Sequence, residues 1–317
     1  MNETYTHHLA HELILVRDLC DRSETRQHHS RAASAGTETR IARGAYLPRA
    51  RWEGLSARER HAVRMLAYSR TRRSRPVFSH WSAAVWHGLP LIGPLPNALH
   101  VVVGRTSGGR STRGVVAHST IVHDEDIIEL DGIRLTSLMR TIVDLAASAP
   151  TSTAVAAADF ALASRGHAIS EIDLLAAWER ALPFRGHRRA LDVVEFADGR
   201  AGSPLESVSR VTMRAIGCPK PELQVPFRDG DGFVGFTDFY WPDHDTIGEA
   251  DGDLKYLDSE FRGGRSAEEV VLDEKVREDR LRALTRRFVR WRWKTAGDRK
   301  ALSAALVAAG LPLGHRW

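Results

Sequence analysis

Three acidic residues in the C-terminal third of the chain stand at spacings that would bring their carboxylates together. Asp238 lies near the end of one apolar segment, and Glu249 and Asp251 alternate with small residues along the next. Residues two apart on a β-strand share a face, and an antiparallel neighbour would place Asp238 opposite Glu249. Like charges about 4 Å apart repel by kcal/mol amounts. A divalent cation would relieve that repulsion, and oxygen ligands without thiolates favour Mg²⁺ or Mn²⁺ over Zn²⁺.

The elements that would position these carboxylates can be predicted from the surrounding sequence. Ser203, Pro204 and Glu206 open a helix as N-cap, first-turn proline and capping-box partner, and the helix continues to about residue 216. The further elements, in order, are strands over 223–225, 235–240 and 246–251, a helix over 275–284, and a strand over 288–293. We therefore expect a compact α/β unit over 203–317.

Charge is segregated within this unit. Residues 229–253 contain eight acids and no Lys or Arg, whereas residues 275–300 contain eleven bases and three acids. An acidic pocket followed by a basic helix and strand is what a metal site beside a phosphate-binding track would need. The alternative interpretation is two solvated faces of opposite charge.

This order of elements, over about residues 203–295, resembles the PD-(D/E)xK nuclease superfamily, in particular its very-short-patch-repair-like branch. The resemblance implies that Asp238 and Glu249 ligate a catalytic Mg²⁺ or Mn²⁺ and that Glu206 lends a further carboxylate. The lysine of the superfamily pattern falls at Asp251, so another cation would have to take its role.

Lys255 is the preferred replacement for that lysine, because Gly252 permits a tight reversal that would return the side chain to the carboxylates. Lys275, on the basic helix, is the alternative. The expected chemistry is attack of a metal-activated water on a phosphodiester. The residues expected to contact flanking phosphates are Lys275, Arg277, Arg280 and Arg292.

The N-terminal segment has the outline of a winged helix-turn-helix. Apolar residues recur at helical spacing over 9–19, a second helix opens at Ser23, and a strand pair follows over 39–48. The second helix would enter the major groove of DNA. Its recognition face contains Arg26, Gln27, His28, His29 and Arg31. The alternative is a small helical subdomain with a polar face.

A run of arginines follows this segment. Residues 49–75 hold nine arginines and two acids, spread along a helix that begins near Ser56. Such a helix could grip phosphates.

Short motifs continue along the middle of the chain. They are Ser79-His80, Ser82-Ala83-Ala84, Gly88-Leu89-Pro90, His118, Asp124, Asp126, Gly132 and the run from Arg140 to Ala146. Over roughly residues 9–180 they resemble the AbiEi-type family of type IV antitoxins. The resemblance implies a winged-helix DNA-binding segment and an α/β domain, in proteins that repress their own operon or counter a nucleotidyltransferase toxin. From the residues alone, His80 and His118 are either ligands or bases, or core and capping groups.

Length and composition limit the classes of protein to which this chain can belong. The chain has 317 residues, of which 43% are apolar and 27% charged, as in a protein of two or three globular units. It lacks the run of about 18 apolar residues that a membrane span needs and the pattern of a signal peptide, so we expect a soluble, cytoplasmic protein with no membrane partner. The predicted units are 1–48, winged-helix-like; 49–182, antitoxin-like α/β; 183–202, linker; and 203–317, nuclease-like.

Two hypotheses of different classes follow. The first is an α/β (α+β) DNA-binding protein whose C-terminal domain is a Mg²⁺-dependent endonuclease. The second is a non-catalytic antitoxin or transcriptional regulator of a type IV toxin–antitoxin system, in which the nuclease fold binds without cutting.

Overall fold

The computed structural model of the chain describes residues 12–19, 22–104, 111–163, 169–252 and 267–317. These residues form a mixed α/β structure, as the sequence predicts, with helices and several sheets. The chain divides into two compact units. The first comprises Met1–Pro150 and Ile169–Glu195, and the second Thr151–Ala168 and Phe196–Trp317. The bounds predicted from sequence, at 48, 182 and 202, stay a prediction.

The first unit begins with a three-stranded antiparallel sheet and its helices. In chain order these elements are β1 (Ile14–Leu15), α1 (Arg22–Ser34), β2 (Glu38–Ala42), β3 (Ala45–Pro48), α2 (Arg49–Gly54) and α3 (Ala57–Thr71). The strand order is β1-β3-β2. Ser56 and Glu59 form a reciprocal capping box, so α3 begins where the sequence predicts.

The helix predicted over 9–19 is wrong for the part that the structure describes. Ile14 pairs with Tyr46 and Leu15 with Ala45 across β1 and β3, and a short 3-10 turn follows. Leu13, Leu15 and the following Val16 are buried. Intrinsic helix propensities of such residues differ by only tenths of a kcal/mol. The free energy gained by burying these side chains against a neighbouring strand is larger, so the segment pairs as a strand despite its helical spacing.

The arginine run is largely bound to the protein itself. Arg58 donates to the carbonyl oxygens of Val85 and Leu89, and Arg60 donates to that of Trp52 at 3.1 Å. The remaining intramolecular partners include Glu53 for Arg49, Glu12 for Arg51, Asn97 O for Arg64 and Glu129 for Arg75. These arginines therefore bind carbonyl groups and acids of the chain itself, and phosphate binding by the run stays a prediction.

A five-stranded mixed sheet completes the first unit. Its elements are β4 (Val77–Phe78), α4 (His80–Trp86), β5 (Leu99–Val103), β6 (Val115–Ser119), β7 (Ile127–Leu130), β8 (Ile133–Thr136) and α5 (Leu138–Ser148). Further along the chain come α6 (Thr151–Leu162), which belongs to the second unit, α7 (Glu171–Ala181) and α8 (His187–Phe196). The strand order is β6-β5-β4-β8-β7. Phe78, Trp86 and Leu135 are among its buried core residues.

The second unit is built on a four-stranded sheet. Its remaining elements are α9 (Pro204–Ile216), β9 (Glu222–Asp229), β10 (Gly232–Trp241), β11 (Thr246–Ala250), α10 (Ala267–Leu284), β12 (Arg287–Trp291), α11 (Trp293–Ala296) and α12 (Arg299–Ala308). The strand order is β12-β11-β10-β9, with β11 and β12 parallel and the other pairs antiparallel. None of the helices within the described residues combines the length and apolar composition that a bilayer crossing requires.

Strand β11 is buried on both faces, and its residue types follow from that. A Cβ atom on Gly248 would lie 2.7 Å from Trp291 and 2.9 Å from Trp241, so these indoles leave space for hydrogen only. On the other face Ile247 packs in a cluster with Val234 and Leu281. Glu249, two residues further along, shares the face of Ile247 and is buried as well.

Candidate functional site

Glu206 lies at the start of α9, where local hydrogen bonds hold its carboxylate. Ser203 caps the helix by accepting from the Glu206 amide at 3.2 Å, and its hydroxyl donates to Glu206 Oε1 at 2.8 Å. The Gly202 amide and Gln224 Nε2 donate to Oε2 at 2.8 and 3.1 Å. The Ser203 cap forms as predicted, but the reciprocal half of the capping box does not, because the Glu206 carboxylate accepts from the Gly202 amide and the Ser203 hydroxyl instead. Glu206 is therefore a fixed, buried carboxylate.

Strands β10 and β11 bring Asp238 and Glu249 together. Their antiparallel register pairs Phe239 with Gly248, the residues next to Asp238 and Glu249, and the charge of Asp238 acts on Glu249. Asp238 Oδ2 accepts from the Ala250 amide at 2.8 Å, which ties this carboxylate to the neighbouring strand. The side chains of both acids are almost completely buried. The sequence prediction that these two carboxylates meet is consistent with this register.

Gln224 joins the carboxylate of α9 to that of β10. Its side-chain amide donates to Glu206 at 3.1 Å and lies 3.5 Å from Asp238 Oδ1. Gln224 has a φ of +52°, in the left-handed region that costs a residue with a side chain roughly 1–3 kcal/mol. Sequence reasoning missed this residue, since a glutamine in a strand carries no signal of its own.

Asp238 perturbs each of the other two carboxylates electrostatically. Burial, followed by the charge of Asp238, raises the pKa of Glu206 to about 7. The same two causes raise the pKa of Glu249 to about 8. The cluster is therefore unfavourable when it is fully ionised, and a proton or a cation would relieve the repulsion.

Arg277 supplies part of that positive charge from α10. Its Nη2 donates to Glu249 Oε1 at 3.2 Å and to the Phe236 carbonyl at 2.6 Å, while Nη1 donates to Glu274 at 3.0 Å. A Cβ atom on Gly235 would lie 2.7 Å from Arg277 Nε, so the glycine makes room for this approach. Arg277 was expected to contact DNA, and in the structure its guanidinium faces the acidic cluster.

Asp251 is turned toward different partners. It lies 3.9 Å from both Arg290 and Arg292, at the end of β11, and its amide donates to the Trp291 carbonyl. The expected convergence therefore involves Glu206, Asp238 and Glu249 most closely. Within the described residues, no group of three His, Cys, Asp or Glu side chains has the arrangement of a formed metal site.

The basic residues predicted near this site differ in exposure and in whether they already form a close ion pair. Lys275 is exposed on α10, and the side chain of Arg292 is 68% exposed. Arg280 instead forms a two-pronged ion pair with Asp229, at 2.6 and 2.7 Å. Lys255, the preferred replacement for the motif lysine, lies outside the described residues.

Helix α1 separates its polar residues into two groups. Arg26, Gln27 and Arg31 are exposed, as a groove-contacting face requires. His29 is buried instead, bonded to Glu38 at 2.9 Å and stacked on Tyr46 with ring centroids 5.4 Å apart. His29 is therefore a packing residue of the small sheet, although the sequence placed it among the recognition residues.

The comparisons with known proteins give a partial match without an activity. An uncharacterized protein, MT2308, of Mycobacterium tuberculosis strain CDC 1551 / Oshkosh is 36% identical over 134 residues, which are 42% of this chain and 48% of that protein. Rv2248, an uncharacterized protein of strain H37Rv, matches with the same values. The chain thus spans about half the length of the curated relatives it matches. No family model matches the sequence.

Proposed function

We propose that this protein binds DNA and that its second unit is a Mg²⁺- or Mn²⁺-dependent, endonuclease-like domain of the PD-(D/E)xK type. The observation that carries the proposal is the buried cluster of Glu206, Asp238 and Glu249. Three acids brought into one small volume from a helix and two strands are unfavourable without a counter-charge. A purely structural role would be served better by neutral side chains of the same shape.

The donor set fits a hard divalent cation by its chemistry. All three side chains offer carboxylate oxygens, which Mg²⁺ and Mn²⁺ prefer, and a cation would lower the raised pKa of Glu206 and of Glu249. When bound, such a cation would activate water and stabilise charge on a phosphodiester. Glu206, Asp238 and Glu249 would hold it, Gln224 would orient the first two, and the exposed Lys275 and Arg292 would contact phosphates.

The first unit would supply DNA contacts through α1. Arg26, Gln27 and Arg31 are exposed on this helix. A strand pair follows the helix, and this order of elements is typical of a winged helix-turn-helix. The other arginines of this unit do not support a second phosphate-binding row, because many of them already bind carbonyls or acids. The winged-helix identity of this segment belongs to the proposal.

A second candidate function is favoured by one observation. Arg277 already donates to Glu249 and thereby provides a counter-charge within the chain. With Asp251 at the position of the superfamily lysine, the same fold could bind DNA without cutting it, as an antitoxin or transcriptional regulator of a type IV toxin–antitoxin system would. A nucleotidyltransferase-like toxin is the partner that this second function implies.

Thermal melting with added Mn²⁺ tests the cation site. A ligand that binds only the folded state stabilises it by about 2.7 kcal/mol at a hundredfold excess over its Kd. We expect millimolar Mn²⁺ to raise the Tm of the full chain, and Glu249→Gln or Asp238→Asn to remove most of the increase. Asp243→Asn, which alters an exposed acid outside the cluster, should leave it intact. An unchanged Tm in the unaltered protein would refute the cation site.

Plasmid cleavage then separates the two functions. If the domain is an endonuclease, Mn²⁺ should support nicking or cutting, and Glu249→Gln should abolish it with DNA binding preserved. Lys255→Met should reduce the rate by about 10²–10⁴-fold if Lys255 replaces the motif lysine. A cation-dependent rise in Tm without cleavage of single-stranded, duplex, mismatched or modified DNA would favour the regulator.

A further inference from the structure

Two phenylalanines are exposed side by side on the hairpin formed by β9 and β10. Phe233 and Phe236 are 46% and 53% exposed, and their rings meet edge to face with centroids 5.4 Å apart. Single apolar side chains at a protein surface are ordinary, whereas exposed aromatic rings held in contact with each other indicate a surface that binds something. The proposed function so far gives this aromatic pair no role.

A β-bulge brings the two rings to one face of the hairpin. Residues three apart on a regular strand point to opposite faces. Here Phe233 pairs with Arg228 and Phe236 pairs with Pro226, with a register shift between Phe233 and Gly235. Pro226 and Arg228 are two apart on β9, and directly paired residues share a face, so the four side chains lie together. Bulges re-aim side chains in this way next to active sites.

Arg228 adds a positive charge to the aromatic pair. It is exposed, and its guanidinium lies 5.5 Å from the centroid of the Phe233 ring. Exposed aromatic rings beside an arginine are typical of sites for single-stranded nucleic acid, because bases stack on the rings and phosphates pair with the cation. A stable protein partner would need a face on the order of 800 Å², more than two half-exposed rings provide.

The aromatic pair lies next to the carboxylate cluster of the proposed function. Nη2 of Arg277 donates to the Phe236 carbonyl at 2.6 Å and to Glu249 Oε1 at 3.2 Å, so a single nitrogen atom links the two. A strand whose bases stack on the rings would therefore have its backbone close to Glu249. Bases inside a duplex are already paired and stacked and have no free face to offer, so this surface favours unpaired nucleotides.

We propose that Phe233 and Phe236 form a stacking platform for the bases of an unpaired DNA strand beside the carboxylate cluster, with Arg228 contacting its phosphates. This inference rests on the function proposed above and narrows its substrate class. The second unit would act on a single-stranded or locally opened segment of DNA rather than on a fully paired duplex.

Fluorescence anisotropy with an oligothymidylate of about 12 nucleotides, and with an abasic strand of the same length, tests the platform. Phosphate contacts anywhere on the chain affect both strands, so the difference between them isolates base stacking. We expect the full chain to prefer the thymidylate by about tenfold or more. Phe233→Ala combined with Phe236→Ala should remove the preference, and Phe236→Trp, which keeps an aromatic face, should retain it. Phe160→Ala alters an exposed phenylalanine on α6 of the same unit and should leave the preference unchanged.

The salt dependence separates the phosphate contact from stacking. Arg228→Ala should lower the magnitude of the log–log salt slope by about 0.7 for both strands, whereas the double phenylalanine variant should keep the slope. The preference is measured in EDTA and in Mg²⁺, and the phenylalanine variants should keep the rise of Tm with Mn²⁺, so failure of the platform is distinguishable from failure of the cation site.

Three outcomes would overturn the platform. The full chain could bind both strands equally, or the double phenylalanine variant could keep the preference for bases. Sedimentation could also show that this variant turns an oligomer into a monomer without loss of strand binding, which would make the surface a contact between copies of the chain.

Discussion

Arg277 is a positively charged side chain that contacts the acidic cluster. It contacts Glu249 on one side and Glu274 on the other, and its own side chain is 23% exposed. Its guanidinium therefore acts as a counter-charge in the protein as it stands. A bound divalent cation and Arg277 would serve the same electrostatic need, so the effects of the two should be coupled.

Replacing Arg277 with methionine should reveal this coupling. Glu249 would lose its charged donor, and we expect the cation-free protein to lose about 1–3 kcal/mol of stability at pH 8. Protonation of Glu249 limits the loss at lower pH. The stabilisation by Mn²⁺ should be larger in Arg277→Met than in the unaltered chain, because the cation then meets an unneutralised carboxylate. Melting curves with and without Mn²⁺ measure both effects.

Arg282→Met is the matched control for this prediction. Arg282 lies on the same helix and pairs with Glu278 at the surface, with 47% of its side chain exposed. An exposed pair of this kind contributes less than about 1 kcal/mol. Equal responses of the two variants to Mn²⁺ would contradict a specific role for Arg277.

At the scale of elements, α1 is the helix to which we assign the DNA contacts of the proposed function. Its exposed side chains are polar or basic, and His29 on its buried side fixes it to the small sheet through Glu38 and Tyr46. The helix thus has a packed face and a free basic face. In the proposed function, a helix held in this way would present its arginines to phosphates in a defined register.

Removing single arginines from α1 should therefore change DNA affinity in a salt-dependent way. Each lost phosphate contact lowers the magnitude of the log–log salt slope by about 0.9. We expect Arg26→Ala and Arg31→Ala each to show this decrease in fluorescence anisotropy titrations of duplex DNA, with an unchanged Tm because both residues are exposed. Arg299→Ala, on α12, should keep the full slope. Slopes unaffected in all three variants would place the DNA contact elsewhere.

At the scale of the whole molecule, burial shifts pKa values in each unit, lowering those of histidines in the first unit and raising those of glutamates in the second. In the first unit, burial lowers the pKa of His61 and His80 to about 3 and of His100 and His118 to about 4. In the second unit, burial raises the pKa of Glu206 and Glu249 to about 7 and 8. Each unit thus has its own dependence of stability on pH.

The signs follow from proton linkage. As pH falls below about 6.5, the unfolded histidines gain protons that the folded ones do not, so the first unit loses stability toward pH 3–4, offset in part by the raised pKa of Asp144. As pH rises from about 4.5 to about 8, the folded glutamates retain protons that the unfolded ones have lost, so the second unit loses stability. The limiting slope is about 1.4 kcal/mol per pH unit per proton.

Hydrogen exchange measured by mass spectrometry, corrected for the intrinsic effect of pH, can follow the units separately. Between pH 5 and pH 8 we expect protection to increase in the core strands β4, β5 and β8 of the first unit and to decrease in β10 and β11 of the second. Glu206→Gln combined with Glu249→Gln should flatten the response of the second unit alone. Parallel changes in both units would contradict the prediction.

Local signals in the sequence determined much of the secondary structure. Ser56 with Glu59, and Ser203 with Glu206, mark the starts of α3 and α9 because their hydrogen bonds join residues within one turn. Alternation places Glu249 on the face of Ile247, and the antiparallel pairing of Phe239 with Gly248 brings the neighbouring Asp238 close enough to affect its pKa. Features that depend on a few neighbouring residues, or on two strands joined by a short turn, can be predicted in this way.

Only the tertiary structure decided how distant segments use these residues. Residues 14 and 15 form a strand because β3 is available to pair with them, and His29 is buried because Tyr46 lies beneath it. Gln224 reaches two carboxylates, and Arg277 crosses from α10 to Glu249, through contacts between residues 14 to 28 positions apart. His80 stacks on His118 across the first unit's sheet. These contacts depend on packing and desolvation of the folded chain, which the local sequence does not encode.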